Sequence, residues 1–196
     1  MRTPLLLLAL ACSAATLRAE ETIPPFELLD AAGHAHTRDE WKGAKAVVLF
    51  FVGVECPVSN FYAPEMTRVE EAYRDRGASF YMIYSEPGVT AEEAAKHDEE
   101  YRLAMPALLD PRQALARAAD VKRVLTAVVV TAEGQVVYRG RIDDRFAMDG
   151  KRREEATTHD LRDAIDAALA GKEPATAETE VFGCPLARPQ DEGTSK

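Results

Sequence analysis

Apolar residues occur along this chain in short runs that are separated by turns and amphipathic stretches. One run, Ala46–Val52, is apolar without interruption, and continuous rather than alternating apolarity is typical of a strand buried on both faces. Shorter apolar segments predict further strands at Phe26–Leu29, Phe80–Tyr84, Ala107–Asp110, Leu125–Thr131 and Gln135–Tyr138. The turn residues Ala132–Gly134 join the last two strands as a hairpin.

Helical periodicity fills most of the intervals between these strands. Met66, Val69 and Tyr73 are spaced i, i+3, i+7, as on one face of a helix. That helix is predicted to begin near Ser59 and to end at Gly77. The other helices are expected from the capping box Thr90–Glu93 to about Arg102, from Arg112 to Ala119, and from a cap at Thr157 or Thr158 to Gly171.

The predicted element order is β, β, α, β, α, β, α, β, β, α, which indicates an α/β fold. Alternating units give a central sheet with helices on both faces, and the closing hairpin makes that β-sheet mixed. A chain of 196 residues has the length of one domain. We assign residues 1–19 to a signal peptide, residues 20–171 to the domain, and residues 172–196 to a C-terminal tail.

Composition and charge exclude several classes of protein. Hydrophobic residues make up 46% and charged residues 29% of the chain, which is an ordinary globular mixture and excludes a wholly disordered chain. Asp+Glu is 33 against Lys+Arg 24, for a net charge of −9. With this acidic balance and no long basic run, no nucleic-acid partner is expected. The pattern also excludes a collagen, a coiled coil and a polytopic membrane protein.

Residues 1–19 have the pattern of a secretory signal peptide. The apolar stretch Pro4–Ala11 is too short for a permanent membrane span, and Leu17–Ala19 is an acceptable cleavage site. An alternative is lipidation at Cys12, since the residues before it partly resemble a bacterial lipobox. Membrane attachment is expected only if Cys12 is lipidated. Either route predicts an exported protein of the periplasm or cell envelope.

Cys56 is the strongest candidate for chemistry, because it lies between a buried strand and the start of a predicted helix. Helix N-termini carry unpaired N–H groups and a partial positive charge, and both favour the nucleophilic thiolate. A second thiol, Cys184, lies in the apolar segment Val181–Leu186 of the polar tail, which suggests a docking segment. The two thiols act as a redox-active pair, form a static bridge within the chain, form an intermolecular bridge or stay separate, and the sequence leaves these alternatives open.

The segment from Val47 to Asn60, and above all the stretch Cys56–Glu65, resembles the thioredoxin-like redoxins. Within them it is similar to the exported branch of the alkyl hydroperoxide reductase/thiol-specific antioxidant (peroxiredoxin-like) family. The likeness extends from Pro25 to about Phe146. It implies a thioredoxin-like fold with Cys56 as the redox nucleophile of a thiol-disulfide oxidoreductase or a peroxiredoxin-like antioxidant protein.

The same resemblance implies the partners of such an enzyme. The substrate is a peroxide or a disulfide, and an external thiol reductant or thioredoxin-like donor supplies electrons. Sulfur carries both electrons, so neither a cofactor nor a metal is expected. Related redoxins also carry a Gly-Cys near their end, which suggests that Cys184 resolves a sulfenic acid formed on Cys56.

Two departures from the thioredoxin pattern concern Ser59 and Leu125. Ser59 stands where thioredoxins have a second motif cysteine, so a disulfide within the motif is impossible. Its hydroxyl is expected either to donate a hydrogen bond to the Cys56 thiolate or to cap the helix. Leu125 occupies the position of the usual cis-proline. Since a cis bond before Leu costs about 2.5–4 kcal/mol, a trans peptide is expected there.

Other departures concern charge and peroxide binding. Glu55 opposes formation of a thiolate at Cys56 if the two side chains meet. Gly53 stands where the peroxiredoxin pattern has a Thr or Ser hydroxyl. Arg139 and Arg141 are either the guanidinium of a peroxide site or solvated charges at a strand end.

The alternative function is a non-catalytic thioredoxin-fold module that binds Cu(I) or a protein partner. Soft thiolates suit Cu(I), and Cys56, Cys184 and His97 are its candidate ligands.

Overall fold

The computed structural model describes residues 21–146 and 149–189 of the chain. The predicted signal peptide, Cys12 and the last residues of the tail lie outside these ranges. Within them, no helix is both long enough and apolar enough to cross a membrane.

The strands of the described chain follow the predicted apolar segments, with one addition. They are β1 (Glu27–Leu29), β2 (Ala35–Thr37), β3 (Ala46–Val52), β4 (Ala78–Tyr84), β5 (Ala107–Leu109), β6 (Thr126–Val130) and β7 (Val136–Gly140). The α-helices are α1 (Pro57–Tyr73), α2 (Ala91–Tyr101), α3 (Ala114–Ala118) and α4 (Asp160–Leu169). The unpredicted strand is β2, because its sequence Ala-His-Thr is short, half-exposed and without an apolar run.

The central sheet has five strands in the order β5-β4-β3-β6-β7. β3 pairs in parallel with β4 and antiparallel with β6, so the sheet is mixed as predicted. Every residue of β3 is buried, because apolar clusters cover both faces of the sheet. Residues of α1, α2 and α4 pack into one cluster and residues of α3 into the other. Parallel pairing of β3 and β4 brings their carboxyl ends to the same edge of the sheet.

Helix starts differ from the predictions at three places, one of which is α3, which begins at Ala114 and not at Arg112. α1 begins at Pro57, directly after Cys56, because proline fits the first helical position. α4 begins at Asp160 and not after a threonine cap. The backbone N–H groups of Thr157 and Thr158 instead donate to Asp144 Oδ1, at 2.7 and 3.1 Å. The predicted capping box at the start of α2 is present.

The first part of the predicted tail lies against the sheet. The Arg139 N–H donates to the Ala177 carbonyl at 3.0 Å, and the Thr179 N–H donates to the Arg139 carbonyl at 3.1 Å. A second pairing joins the tail to the loop before β6, where Arg123 and Pro185 form an antiparallel bridge. These two pairings determine where Cys184 lies.

Candidate active site

Cys56 is the N-cap residue of α1, at the point where β3 ends and the helix begins. A short turn leads to it, in which the Cys56 N–H donates to the Gly53 carbonyl at 3.3 Å. The Asn60 N–H donates back to the Cys56 carbonyl at 3.0 Å, which starts the helix. This position exposes the side chain to the partial positive charge of the helix N-terminus, which favours a thiolate.

The tail brings Cys184 to this position. The Cys56 and Cys184 sulfur atoms lie 2.7 Å apart as free thiols. Backbone bonds from the Val124 N–H to the Cys184 carbonyl and from the Leu186 N–H to the Lys122 carbonyl, both 3.0 Å, hold the tail there. A side chain at Gly183 would collide with the Val124 carbonyl oxygen. The close approach of the two backbones therefore requires glycine before Cys184.

The two thiols differ in exposure, and the pKa of one of them is raised. Cys56 is only 2% exposed, whereas Cys184 is partly exposed. The hydrogen bond with Cys56, and secondly burial, raise the pKa of the Cys184 thiol to about 11. The charges of Cys56 and Glu86 act in the same direction. Cys184 therefore keeps its proton at neutral pH.

Ser59 is buried beside this turn, but it contacts a different atom from those expected. The Gly53 N–H donates to Ser59 Oγ at 3.4 Å. The prediction that Ser59 caps the helix is wrong, because Cys56 occupies the N-cap and Ser59 lies in the first turn. Within the described chain, the hydrogen bond of Ser59 is with Gly53 and not with Cys56. The hydroxyl thus braces the turn that precedes the cysteine.

Glu86 occupies the space in which a side chain at position 53 would lie. It follows β4, and its Oε2 accepts a hydrogen bond from the Val54 N–H at 3.1 Å. A Cβ at Gly53 would lie 2.8 Å from the same oxygen. Burial, followed by the charge of Glu55, raises the pKa of the Glu86 carboxyl. The sequence reasoning missed Glu86. The sequence feature that could have identified it is an acidic residue two positions after the end of β4, the strand that runs parallel to β3.

Leu125 has an unusual backbone conformation next to the thiols. No cis peptide occurs among the described residues, so the expected trans peptide is confirmed. The residue instead has a φ of 68°, in the left-handed region that costs an L-residue about 1–2 kcal/mol. Its N–H donates to the Phe51 carbonyl at 2.5 Å. The two neighbouring N–H groups thus bind different partners. The Leu125 N–H binds Phe51 on β3, and the Val124 N–H binds the tail.

Neither arginine of the expected peroxide site is directed to Cys56. Arg139 Nη1 lies 2.9 Å from the Glu21 carboxylate. Arg141 Nε lies 2.9 Å from the Asp160 carboxylate. Both guanidinium groups therefore form ion pairs with carboxylates at the end of β7.

His97 is buried and is not available as a copper ligand. Its Nδ1 lies 2.7 Å from the Tyr84 hydroxyl, and its Nε2 lies 2.9 Å from Asn60 Oδ1. Both ring nitrogens are thus engaged. The described residues contain no group of three His, Cys, Asp or Glu side chains that could hold a metal ion. The three-ligand Cu(I) site predicted for Cys56, Cys184 and His97 is therefore wrong.

Residues 19–139 of the chain match the model of a protein family described as the AhpC/TSA family. No curated protein matches the chain. The matched region contains Cys56 and ends before Cys184. The family match therefore supports the fold around Cys56 and leaves the tail to the geometry above.

The fold is shared with several solved structures. A hypothetical protein from Sinorhizobium meliloti 1021 is 26% identical with a TM-score of 0.77, covering 91% of this chain and 97% of that one. The thioredoxin domain of a thiol-disulfide oxidoreductase from Bacteroides vulgatus is 19% identical with a TM-score of 0.54, covering 62% and 88%. Peroxidoxin BcpB from Mycobacterium tuberculosis is 24% identical with a TM-score of 0.54, covering 77% and 93%. These matches confirm the predicted thioredoxin-like α/β fold.

Proposed function

The chain belongs to the AhpC/TSA family, and from that premise we propose that it is a thiol-dependent oxidoreductase with Cys56 and Cys184 as its redox pair. The observation that carries the proposal is the distance of 2.7 Å between their sulfur atoms. The pair is assembled from the start of a helix and a separately docked tail, which is the arrangement that a cycle between dithiol and disulfide needs. Cys56 is the nucleophile because the partial positive charge of the α1 N-terminus stabilises its thiolate. Cys184 is the resolving cysteine, which closes the disulfide with Cys56.

The first candidate reaction is thiol–disulfide exchange. The Cys56 thiolate attacks one sulfur of a substrate disulfide, and the other substrate sulfur leaves as a thiolate. Cys184 then loses its proton and attacks Cys56, which releases the first substrate sulfur and closes the Cys56–Cys184 bond. The substrate has gained two electrons, and the protein has lost them. This reaction comes first because neither Arg139 nor Arg141 faces Cys56 and Gly53 carries no hydroxyl for a peroxide.

The second candidate reaction is reduction of a peroxide. It is favoured by the 2% exposure of Cys56, since a small oxidant needs less movement of the tail than a protein disulfide does. The thiolate attacks one peroxide oxygen, which gives a sulfenic acid on Cys56 and releases an alcohol or water. Cys184 then condenses with the sulfenic acid, and one water leaves as the disulfide forms.

Both reactions return to the starting state through an external thiol reductant, such as a thioredoxin-like donor. Two electrons from that donor reopen the Cys56–Cys184 bond. We place this cycle outside the cytoplasm, in the periplasm or cell envelope, because residues 1–19 have the pattern of a signal peptide. Mass analysis of the N-terminus of the exported protein separates cleavage after Ala19 from lipidation at Cys12.

One experiment separates the candidate reactions. The reduced protein is mixed with one equivalent of hydrogen peroxide or of glutathione disulfide, and the disulfides are mapped by mass spectrometry as free thiols disappear. Rapid formation of the Cys56–Cys184 bond, lost in Cys56→Ser, supports the redox pair and identifies the oxidant. Oxidation no faster than that of a simple thiol with both oxidants contradicts it. The protein is then a non-catalytic binding module, whose partner is a protein or a Cu(I) ion held by the two thiols alone.

A further inference from the structure

The backbone of Val54, two residues before Cys56, is hydrogen-bonded at both its N–H and its carbonyl. Its N–H donates to Glu86 Oε2 at 3.1 Å, and its carbonyl accepts a hydrogen bond from Asn60 Nδ2 at 3.0 Å. Asn60 lies on the first turn of α1, so this hydrogen bond joins the start of the helix to the turn that precedes Cys56. The direction in which the cysteine leaves the turn therefore depends on the orientation of one amide side chain.

His97 contacts the other end of this amide and supports that orientation. Because Asn60 Nδ2 donates to Val54, its Oδ1 faces α2, where His97 Nε2 lies 2.9 Å away. An amide oxygen only accepts hydrogen bonds, so Nε2 must carry a proton. With an imidazole donor in this place, rotation of the amide by half a turn would set two donors against each other. The His97 N–H and the Val54 carbonyl thus favour the same amide rotamer.

The surroundings of His97 hold its ring in this state. The Tyr84 hydroxyl lies 2.7 Å from Nδ1 and 2.6 Å from Asp98 Oδ1, and it shares its single proton between these two acceptors. The Tyr101 ring packs on the imidazole, with centroids 4.8 Å apart. Burial lowers the pKa of His97, against a smaller opposing effect of the Glu100 charge. The ring is therefore a fixed donor toward Asn60.

We propose that His97 is a positioning residue for the redox cysteine. It aligns Asn60, Asn60 fixes the Val54 carbonyl, and the fixed turn keeps the Cys56 sulfur at the N-terminus of α1. The inference rests on the proposed function insofar as Cys56 is taken as the nucleophile. It assigns to α2, which has no contact with either sulfur, a part in making that nucleophile acidic.

The test is a pH titration of the Cys56 thiolate by its ultraviolet absorbance, in a Cys184→Ser background. A matched Cys56→Ser/Cys184→Ser protein supplies the tyrosine baseline. His97→Leu removes the donor at similar volume, and we expect the Cys56 pKa to rise by about one unit, a tenfold loss of thiolate at neutral pH. His97→Gln places an amide N–H near the position of Nε2, and we expect it to restore the original titration.

Two further variants make the test specific. Tyr101→Phe keeps the aromatic packing on His97 without touching Asn60, so it should leave the Cys56 pKa unchanged. Asn60→Ser, at a half-buried position, removes the hydrogen bond between Asn60 and Val54 directly. It should raise the Cys56 pKa as much as His97→Leu does. The double variant His97→Leu/Asn60→Ser should show no additional rise, because both changes break one chain of contacts. If His97→Leu does not fold, Asn60→Ser and His97→Gln still provide the comparison.

Two results overturn the inference. One is a His97→Leu protein with a lower melting temperature and an unchanged Cys56 pKa, which makes the histidine merely structural. The other is a His97→Gln protein that behaves like His97→Leu. Failure of the proposed function looks different. In that case wild-type protein forms no Cys56–Cys184 bond with either oxidant, while the pKa difference between His97→Leu and its parent persists.

Discussion

The chain around Cys56 is buried in the sheet and its helices, whereas the segment around Cys184 lies along the outside and is held by backbone hydrogen bonds and by packing of Val181, Phe182 and Leu186. β3, which leads to Cys56, pairs along most of its length with strands on both sides. The tail at Cys184 is attached by single bridges to Arg123 and Arg139. Such sparsely attached segments open locally at low cost, while core strands open only with the whole fold.

In the proposed mechanism, this difference explains how Cys56, which is 2% exposed, meets a substrate. Opening of the tail uncovers Cys56 and leaves β3 and α1 in place. Closing of the tail returns Cys184 to within bonding distance. In the proposed mechanism, the rigid side, which comprises β3, β4 and the helices packed on them, keeps the thiolate, and the detachable side, residues 177–189, provides access and resolution.

Removing each sulfur in turn tests the division of roles between Cys56 and Cys184 most strongly. Cys56→Ser should abolish substrate reduction. Cys184→Ser should still react once with the oxidant, but its steady-state turnover should fall about a hundredfold, because a tethered resolving thiol is replaced by one from solution. Stopped-flow oxidation followed by a turnover assay with an external dithiol measures both. Equal loss of the first oxidation step in the two variants contradicts the division of roles.

A side chain at position 53 should displace Glu86 on the rigid side. In Gly53→Thr the new Cβ meets Glu86 Oε2, at 2.8 Å in the present geometry, and we expect a loss of about 2 kcal/mol in the free energy of unfolding. Urea denaturation measures the loss. Gly53→Thr/Glu86→Ala makes room for the threonine and should recover most of it. No recovery in the double variant means that Glu86 is not what excludes the side chain.

The detachable side should be loosened by one methyl group. Gly183→Ala sets a Cβ against the Val124 carbonyl oxygen, so we expect the tail to dock less often and the Cys56–Cys184 bond to form about tenfold more slowly. Arg188→Ala, at an exposed position of the same segment, serves as the control and should react like the wild type. Global stability in urea should change little in either protein. An unchanged rate in Gly183→Ala contradicts the requirement for close backbone approach.

The smallest effect expected is a pH dependence of folding stability that arises from Asp98 on α2, on the rigid side. Burial raises the pKa of Asp98 to about 6, despite the hydrogen bond from Tyr84. A carboxyl with a higher pKa in the folded state than in the unfolded state destabilises the fold as pH rises from about 4 to about 6. Asp98→Asn keeps an acceptor for Tyr84, and we expect it to stabilise the protein by about 1 kcal/mol at pH 7 and not at pH 3. Thermal unfolding at both pH values checks the sign.

The rigid side was largely predictable from the sequence. Ala46–Val52 is continuously apolar because β3 is buried on both faces, and Cys56 followed by Pro57 marks a helix start by local chemistry. The capping box at Thr90 was predictable for the same reason. Each of these signals lies within a few neighbouring residues, so a single sequence carries it.

The contacts between distant segments were not predictable. Glu86 reaches Gly53 through the register of two parallel strands, and His97 reaches Asn60 through the packing of α2 on α1. Neither partner can be identified from its own neighbours, and a histidine within a helix is not distinctive. The apolar segment around Cys184 indicated docking, but the bridge between Arg123 and Pro185 depends on tertiary pairing. Sequence therefore identified the thiols, while their supporting residues required the fold.

The central claim is that Cys56 and Cys184 form one reversible redox couple, and a titration in glutathione redox buffers tests it most directly. After equilibration, the free thiols are trapped with an alkylating reagent and each cysteine is quantified by mass spectrometry. The account predicts a single two-electron transition in which both cysteines change together and only the Cys56–Cys184 bond accumulates. Separate transitions for the two cysteines, or glutathione bound to each without a bond between them, would contradict it.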